Sequence, residues 1–198
     1  MSPLDKPEII LASASPRREL LLREMGLAFR VIQPTGVEEE TTGFRPDVLV
    51  MRNAQHKARA VAGQHREALV IGADTEVVFA DVVFGKPADL PAAETMLAKL
   101  AGHRHEVLTG VCLIHQPMEL ELTFAECTGV TMRALTTAQI RDYFTKVNPL
   151  DKAGAYGAQE FGELIIERVE GSFSNVMGLP VERLRATFEK LGIVTACD

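Results

Sequence analysis

The chain has 198 residues, 46% of them hydrophobic and 24% charged, which is ample for the core of one domain or two closely joined lobes. Its net charge of -6 opposes nonspecific binding to DNA or RNA, so no nucleic-acid partner is expected. No apolar run is long enough to span a bilayer, the N-terminus lacks a signal-peptide layout, and Cys112, Cys127 and Cys197 show neither metal-ligand spacing nor a disulfide framework; no membrane partner and a cytoplasmic location are expected.

In chain order, Glu8 to Ala12 reads as a short buried strand and Arg17 to Met25 as a helix, with Ser15 placed to cap it, Pro16 at its first position and Gly26 as its stop. Phe29 to Gln33 reads as a second strand, 37–43 as an acidic loop and Pro46 to Ala62 as a long helix. An apolar strand, Ala68 to Ala73, ends at Asp74-Thr75. Val77 to Phe79 and Val82 to Phe84 flank a hairpin turn. Asp89 to Leu100 is a helix closed by Gly102. Two long extended segments, Glu106 to Ile114 and Glu119 to Arg133, join near Gln116-Pro117. Thr136 to Gln139 has capping-box spacing and opens a helix to about Val147. Glu163 to Val169 is a last strand and Val181 to Leu191 a last helix. The expected fold is therefore α/β, with a mixed, partly antiparallel sheet flanked by helices.

The densest chemistry lies at 13–21. Ser13, Ser15, Arg17 and Arg18 crowd a helix N-terminus, which already offers unpaired N–H groups and partial positive charge. Either arginine alone reads as a solvated side chain; together they make an anion site suited to phosphate. Asp74, at an apolar strand's end, would ligate a cation or take a proton from water; alone it reads as a turn aspartate. Glu38, Glu39 and Glu40 read as solvated surface unless the fold brings one of them beside Asp74. Lys57 lies mid-helix and Lys86 in a tight Gly-Lys-Pro turn. Lys152 opens a Gly- and Ala-rich segment through Gln159 that suits close approach of backbone to a ligand. Ser172 to Asn175, followed by Gly178-Leu179-Pro180, reads as a polar turn before the last helix. His103 and His105, two apart, are taken as ordinary strand residues.

Ser13 to Leu21, Lys57-Ala58, Gly72 to Thr75, Gly85-Lys86-Pro87, Asp151 to Gln159 and Ser174 to Pro180 together resemble the Maf family of nucleoside triphosphate pyrophosphatases, in order and over nearly the whole chain. The resemblance implies a single Maf-like domain, 1–198, of two lobes about a central cleft, related to the inosine triphosphate pyrophosphatases. It implies hydrolysis of a nucleoside triphosphate to the monophosphate and pyrophosphate, assisted by Mg2+ or Mn2+, in a homodimer. By the same resemblance Ser13, Arg17, Arg18, Lys57, Lys86 and Lys152 bind substrate, Asp74 is catalytic, and Glu39 joins Asp74 in holding the metal. Arg17, Thr75 and Gln159 match the branch acting on dTTP and UTP, Gln159 being suited to read a pyrimidine edge. Glu76 and Glu160 depart from the family pattern and add negative charge. The alternatives are a pyrophosphatase for modified nucleotides (methylated pyrimidines or 7-methyl-GTP) and, outside catalysis, a division regulator or nucleic-acid binder.

Overall fold

The computed structural model describes residues 7–193. Its elements run β1 (Ile9–Ala12), α1 (Pro16–Glu24), β2 (Phe29–Ile32), α2 (Pro46–Ala62), β3 (Leu69–Phe79), β4 (Val82–Phe84), α3 (Leu90–Leu100), β5 (Arg104–His115), β6 (Leu120–Met132), α4 (Thr137–Lys146), β7 (Ile166–Glu170), α5 (Phe173–Met177) and α6 (Val181–Lys190). The strands hydrogen-bond in the order β2-β1-β3-β5-β6-β7, with β4 paired to β3. The chain divides into two compact units. The first takes residues up to Asp74, Thr109–Glu126 and everything from Gly178 onward; the second takes Thr75–Leu108 and Cys127–Met177.

In the first unit β1 runs parallel to both β2 and β3, and its register pairs Ile9 with Leu69 and Ala12 with Gly72. These strands are apolar throughout β1 and the first half of β3 because both their faces are covered. Helix α2 supplies one cover. Its buried residues Val50, Asn53, Ala54, Lys57, Ala58 and Val61 recur at helical spacing along one face. It presses close to the strands at two glycines. A Cβ on Gly72 would lie 2.3 Å from the Ala54 carbonyl oxygen and 2.8 Å from the Ala58 nitrogen, and one on Gly110 would lie 2.3 Å from the Val50 carbonyl. Ile10, Ala12, Ala54, Ala58, Val61, Val70 and Cys112 form the core there.

The second unit packs α3 and α4 around Leu97, Leu100, Val107, Val130, Met132, Ile140, Tyr143, Tyr156 and Ile165. Each such fully buried side chain contributes about 1.5–3 kcal/mol. The β3–β4 hairpin turns on Ala80 and Asp81, both at positive φ as its tight two-residue turn requires. Asp89 caps α3 by accepting from the Ala92 N–H, and Thr136 with Gln139 forms a complete capping box on α4.

Five local expectations need correction. The strand expected to end at Ala73 continues to Phe79, so Asp74 sits within β3 and not at its end. Ser15 occupies the α1 cap position but its side chain makes no cap bond; Ser13 Oγ instead accepts the Ser15 N–H at 3.1 Å. β7 starts at Ile166, since 162–164 form a 3-10 turn, and the polar turn expected at 172–175 is mostly the short helix α5. His103 precedes β5, where its ring packs on Phe79, while His105 lies within the strand. Cys197 lies outside the described residues.

Candidate active site

In the first unit the parallel strands deliver the functional groups to one end. Ser13 directly follows β1, and α1 begins three residues later at Pro16. The Ala12–Gly72 pairing sets Asp74 two residues past the same level on the neighbouring strand. Adjacent strands lie about 4.8 Å apart, and the carboxyl ends of parallel strands are where α/β sheets bind ligands. Arg18 is buried: its Nε donates to the Gly178 carbonyl at 2.8 Å and its Nη1 to Ser13 Oγ at 3.4 Å. Ser13 Oγ thus accepts from Arg18 and from the Ser15 N–H, which leaves its own O–H to donate. Arg17 stands beside it, half-buried, in the first turn of α1.

Asp74 is buried and meets α2 with both oxygens. Lys57 Nζ lies 2.6 Å from Oδ1, and Asn53 Nδ2 donates to Oδ2 at 3.1 Å. Lys57 and Asn53 are one helical turn apart, so both point at the same strand. Lys57 Nζ also lies 2.6 Å from Glu39 Oε1. One ammonium therefore bridges the exposed carboxylate of Glu39 and the buried carboxylate of Asp74, and the Lys57–Asp74 pair compensates its two buried charges.

The acidic run is divided by this arrangement. Glu38 is exposed, Glu39 faces Lys57, and Glu40 is gripped by Arg52 through a two-bond fork at 2.7 and 2.8 Å. The Arg52 hydrogen bond holds the Glu40 carboxyl below its ordinary pKa. Arg52 in turn lies 4.4 Å over the Phe44 ring. Asn53 also pairs with the backbone of Glu40. Sequence reasoning missed Asn53; the available signal was its place four residues before Lys57 among the buried positions of α2.

Two carboxylates converging on one positive centre fit a hard divalent cation. Mg2+ and Mn2+ favour oxygen donors, and Mg2+ is commonly held by one or two carboxylates with phosphate and water completing its shell. Among the described residues no group of three or more His, Cys, Asp and Glu side chains gathers.

The second unit carries the other expected residues. Thr75 and Glu76 follow Asp74 along β3 and are half-buried; Lys86 and Gln159 are exposed. The Gly154 N–H donates to the Gly85 carbonyl at 3.2 Å, joining the Gly-Lys-Pro turn to the Gly- and Ala-rich segment. Tyr143 OH lies 3.3 Å from the Gly157 carbonyl and accepts the Gly157 N–H at 3.1 Å. Burial pushes its phenol up to about 12, so it remains protonated. Lys152 is buried, with Nζ 3.0 Å from the Asn148 carbonyl, 2.9 Å from Asp151 and 3.3 Å from Glu160. Three acceptors match its three N–H groups, so Lys152 reaches a ligand only by exchanging one of them.

A surface pocket of about 340 Å³, lined in part by Ala62, Ile114, Gln116 and Leu120, belongs to the first unit. It lies where α2 ends and before β3 begins, roughly 17 Å along the strands from Asp74, and takes no part in this constellation.

The architecture is shared with the Ham1 protein of Staphylococcus aureus, at TM-score 0.55 and 17% identity over 93% of this chain and 99% of that one. That likeness defines the class of fold. The family model described as Maf-like protein matches residues 8–191, and the chain belongs to the Maf family. It is 42% identical over 189 residues to a dTTP/UTP pyrophosphatase of Dictyoglomus thermophilum, covering 94% of this chain and 97% of that protein. A protein of the same name from Koribacter versatilis is 44% identical over 187 residues, covering 94% and 95%. Another, from Clostridioides difficile, is 40% identical over 182 residues, covering 92% and 94%.

Proposed function

We propose that this protein hydrolyses dTTP and UTP to the monophosphate and pyrophosphate, with Mg2+ or Mn2+ as cofactor. The observation that carries the reading is the β1–β3 register, which sets the arginine-bearing start of α1 and the Glu39–Lys57–Asp74 bridge at one end of adjacent parallel strands. The names of its relatives supply the substrates. The same reading takes the protein to be a cytoplasmic homodimer with no nucleic-acid or membrane partner. Of the described residues, no helix is long and apolar enough to cross a membrane.

In this reading the α1 N-terminus, the Ser13 hydroxyl and the Arg17 and Arg18 guanidiniums bind phosphate oxygens. Lys57 has two N–H groups on carboxylates and a third for phosphate. Glu39 and Asp74 would hold the divalent cation, which when bound neutralises charge on the phosphate oxygens and the leaving pyrophosphate. Asp74 orients a water for attack on the α-phosphorus. The new P–O bond forms as the bond to the bridging oxygen breaks, and the water proton passes to Asp74. Each Asp74 oxygen already accepts one bond and keeps one lone pair, so that one is free for the cation and one for this water. Lys86 and Lys152 are assigned to phosphate, Lys152 by giving up Glu160 or Asp151. Arg17, Thr75 and Gln159 are assigned to selectivity, where an unmatched base would leave polar groups unpaired.

The test is a panel of canonical and modified triphosphates assayed with Mg2+ or Mn2+, the wild type beside Asp74→Asn. Turnover of dTTP and UTP to monophosphate and pyrophosphate is expected. The Asn variant should be slower by about 100-fold or more, the scale of losing a positioned proton acceptor. Preference for purine or 7-methylguanine triphosphates would reject the substrate, and an unimpaired variant would remove Asp74 from the chemistry.

A further inference from the structure

Asn53 is 1% exposed, and its carboxamide is committed to two segments, the acidic loop at Glu40 and β3 at Asp74. Its Oδ1 accepts the Glu40 N–H at 2.8 Å, and its Nδ2 donates to the Glu40 carbonyl at 2.9 Å and to Asp74 Oδ2 at 3.1 Å. The amide orientation follows from this chemistry. A flipped amide would set its oxygen against a carbonyl and a carboxylate, all acceptors, and its NH2 against an N–H donor. Arg52, one residue earlier, holds the Glu40 side chain. Glu40 is thus clamped at backbone and side chain, which delivers the preceding Glu39 carboxylate to Lys57.

We propose that Asn53 is a positioning residue for the reaction, fixing the spacing between the Glu39 and Asp74 carboxylates by binding the acidic loop and Asp74 through one amide. This rests on the hydrolase reading given above. Asp74 is divided between two partners on α2, Lys57 at Oδ1 and Asn53 at Oδ2, so the amide sets the rotation of the carboxylate about its own axis. Without it the Glu40 peptide loses both its amide partners, and Asp74 keeps only the lysine as a directional contact on this helix. Outer-shell hydrogen bonds of this kind are worth about 10- to 100-fold in metal affinity or activity.

The experiment compares wild type with Asn53→Leu, which keeps the branched outline with somewhat greater bulk and removes all three bonds. Folding is followed by circular dichroism, kcat and KM by dTTP turnover with Mn2+. Mn2+ affinity in the presence of α,β-methylene-dTTP, which resists cleavage, is read from the free-Mn2+ electron paramagnetic resonance signal. The expected result is a folded variant with kcat lower by about 10- to 100-fold, KM within about threefold, and Mn2+ affinity weakened by about 10-fold. A folded variant with wild-type kcat and Mn2+ affinity overturns the proposal, and so does a loss seen only in KM. Asn53→Asp carries the test if the leucine variant does not fold. It retains the acceptor for the Glu40 N–H but faces Asp74 and the Glu40 carbonyl with an oxygen, so wild-type kcat there overturns the proposal too. Wild-type protein inactive on dTTP and UTP would instead reject the hydrolase reading, which separates the two failures.

Discussion

At the scale of single residues, burial and pairing decide which side chains keep their ordinary chemistry. His105 shows this most clearly. It is 2% exposed, its Nε2 lies 2.7 Å from Tyr156 OH, and its buried Nδ1 has no hydrogen-bond partner among the described residues. Burial, with a smaller push from Arg104, lowers its pKa from 6.5 to about 4. The folded protein therefore holds the imidazole neutral in a range where the unfolded chain protonates it. Between pH 6.5 and 4 the unfolded state binds more protons, so this contribution is complete above pH 6.5 and is lost as pH falls through that window. A shift of that size corresponds to about 3 kcal/mol. His105→Gln, which can keep a bond to Tyr156, should show a shallower fall in melting temperature from pH 7 to 4.5 than wild type. Parallel profiles would show that other groups carry the acid sensitivity.

At the scale of elements, the close seating of α2 on β3 is what makes the site. Gly72 permits it: a methyl there meets the backbone of Ala54 and Ala58, which cannot move aside as a flexible side chain can. Gly72→Ala should destabilise the protein by about 1–3 kcal/mol, the usual cost of overpacking, measurable by urea unfolding. A neutral result would mean that the helix is free to shift. The bounds of α2 were legible because Pro46 marks its start and its apolar positions follow a helical period to Ala62. The α4 capping box was legible for a similar local reason. The course of β3 was not. Asp, Thr and Glu at 74–76 look like a strand running out, but side chains of α2 satisfy Asp74, and the ladder continues. Asn53 was harder to read: its place four residues before Lys57 sets it on the buried face of α2, but its role exists only because glycines bring the helix down onto the strand. Ser15 was misread as the capping group because the bond that serves the turn comes from Ser13, two residues before it.

At the scale of the whole molecule, a chain of net charge -6 carries local groups of basic residues in each of its two units. In the first unit Arg17 and Arg18 stand in the first turn of α1, just past the end of β1, and Lys57 joins Glu39 to Asp74 within β3. The second unit carries exposed Lys86 and Gln159 and a Lys152 already matched by its own acceptors. The family's motifs were legible in the sequence because they are short and ordered, whereas the pairing that occupies Lys152 depends on Glu160, eight residues away. The most direct measurement is hydrolysis of dTTP in water enriched with oxygen-18, followed by mass spectrometry of both products. Attack at the α-phosphorus predicts label in the monophosphate and none in the pyrophosphate; label in pyrophosphate, or release of inorganic phosphate with a diphosphate product, would contradict it.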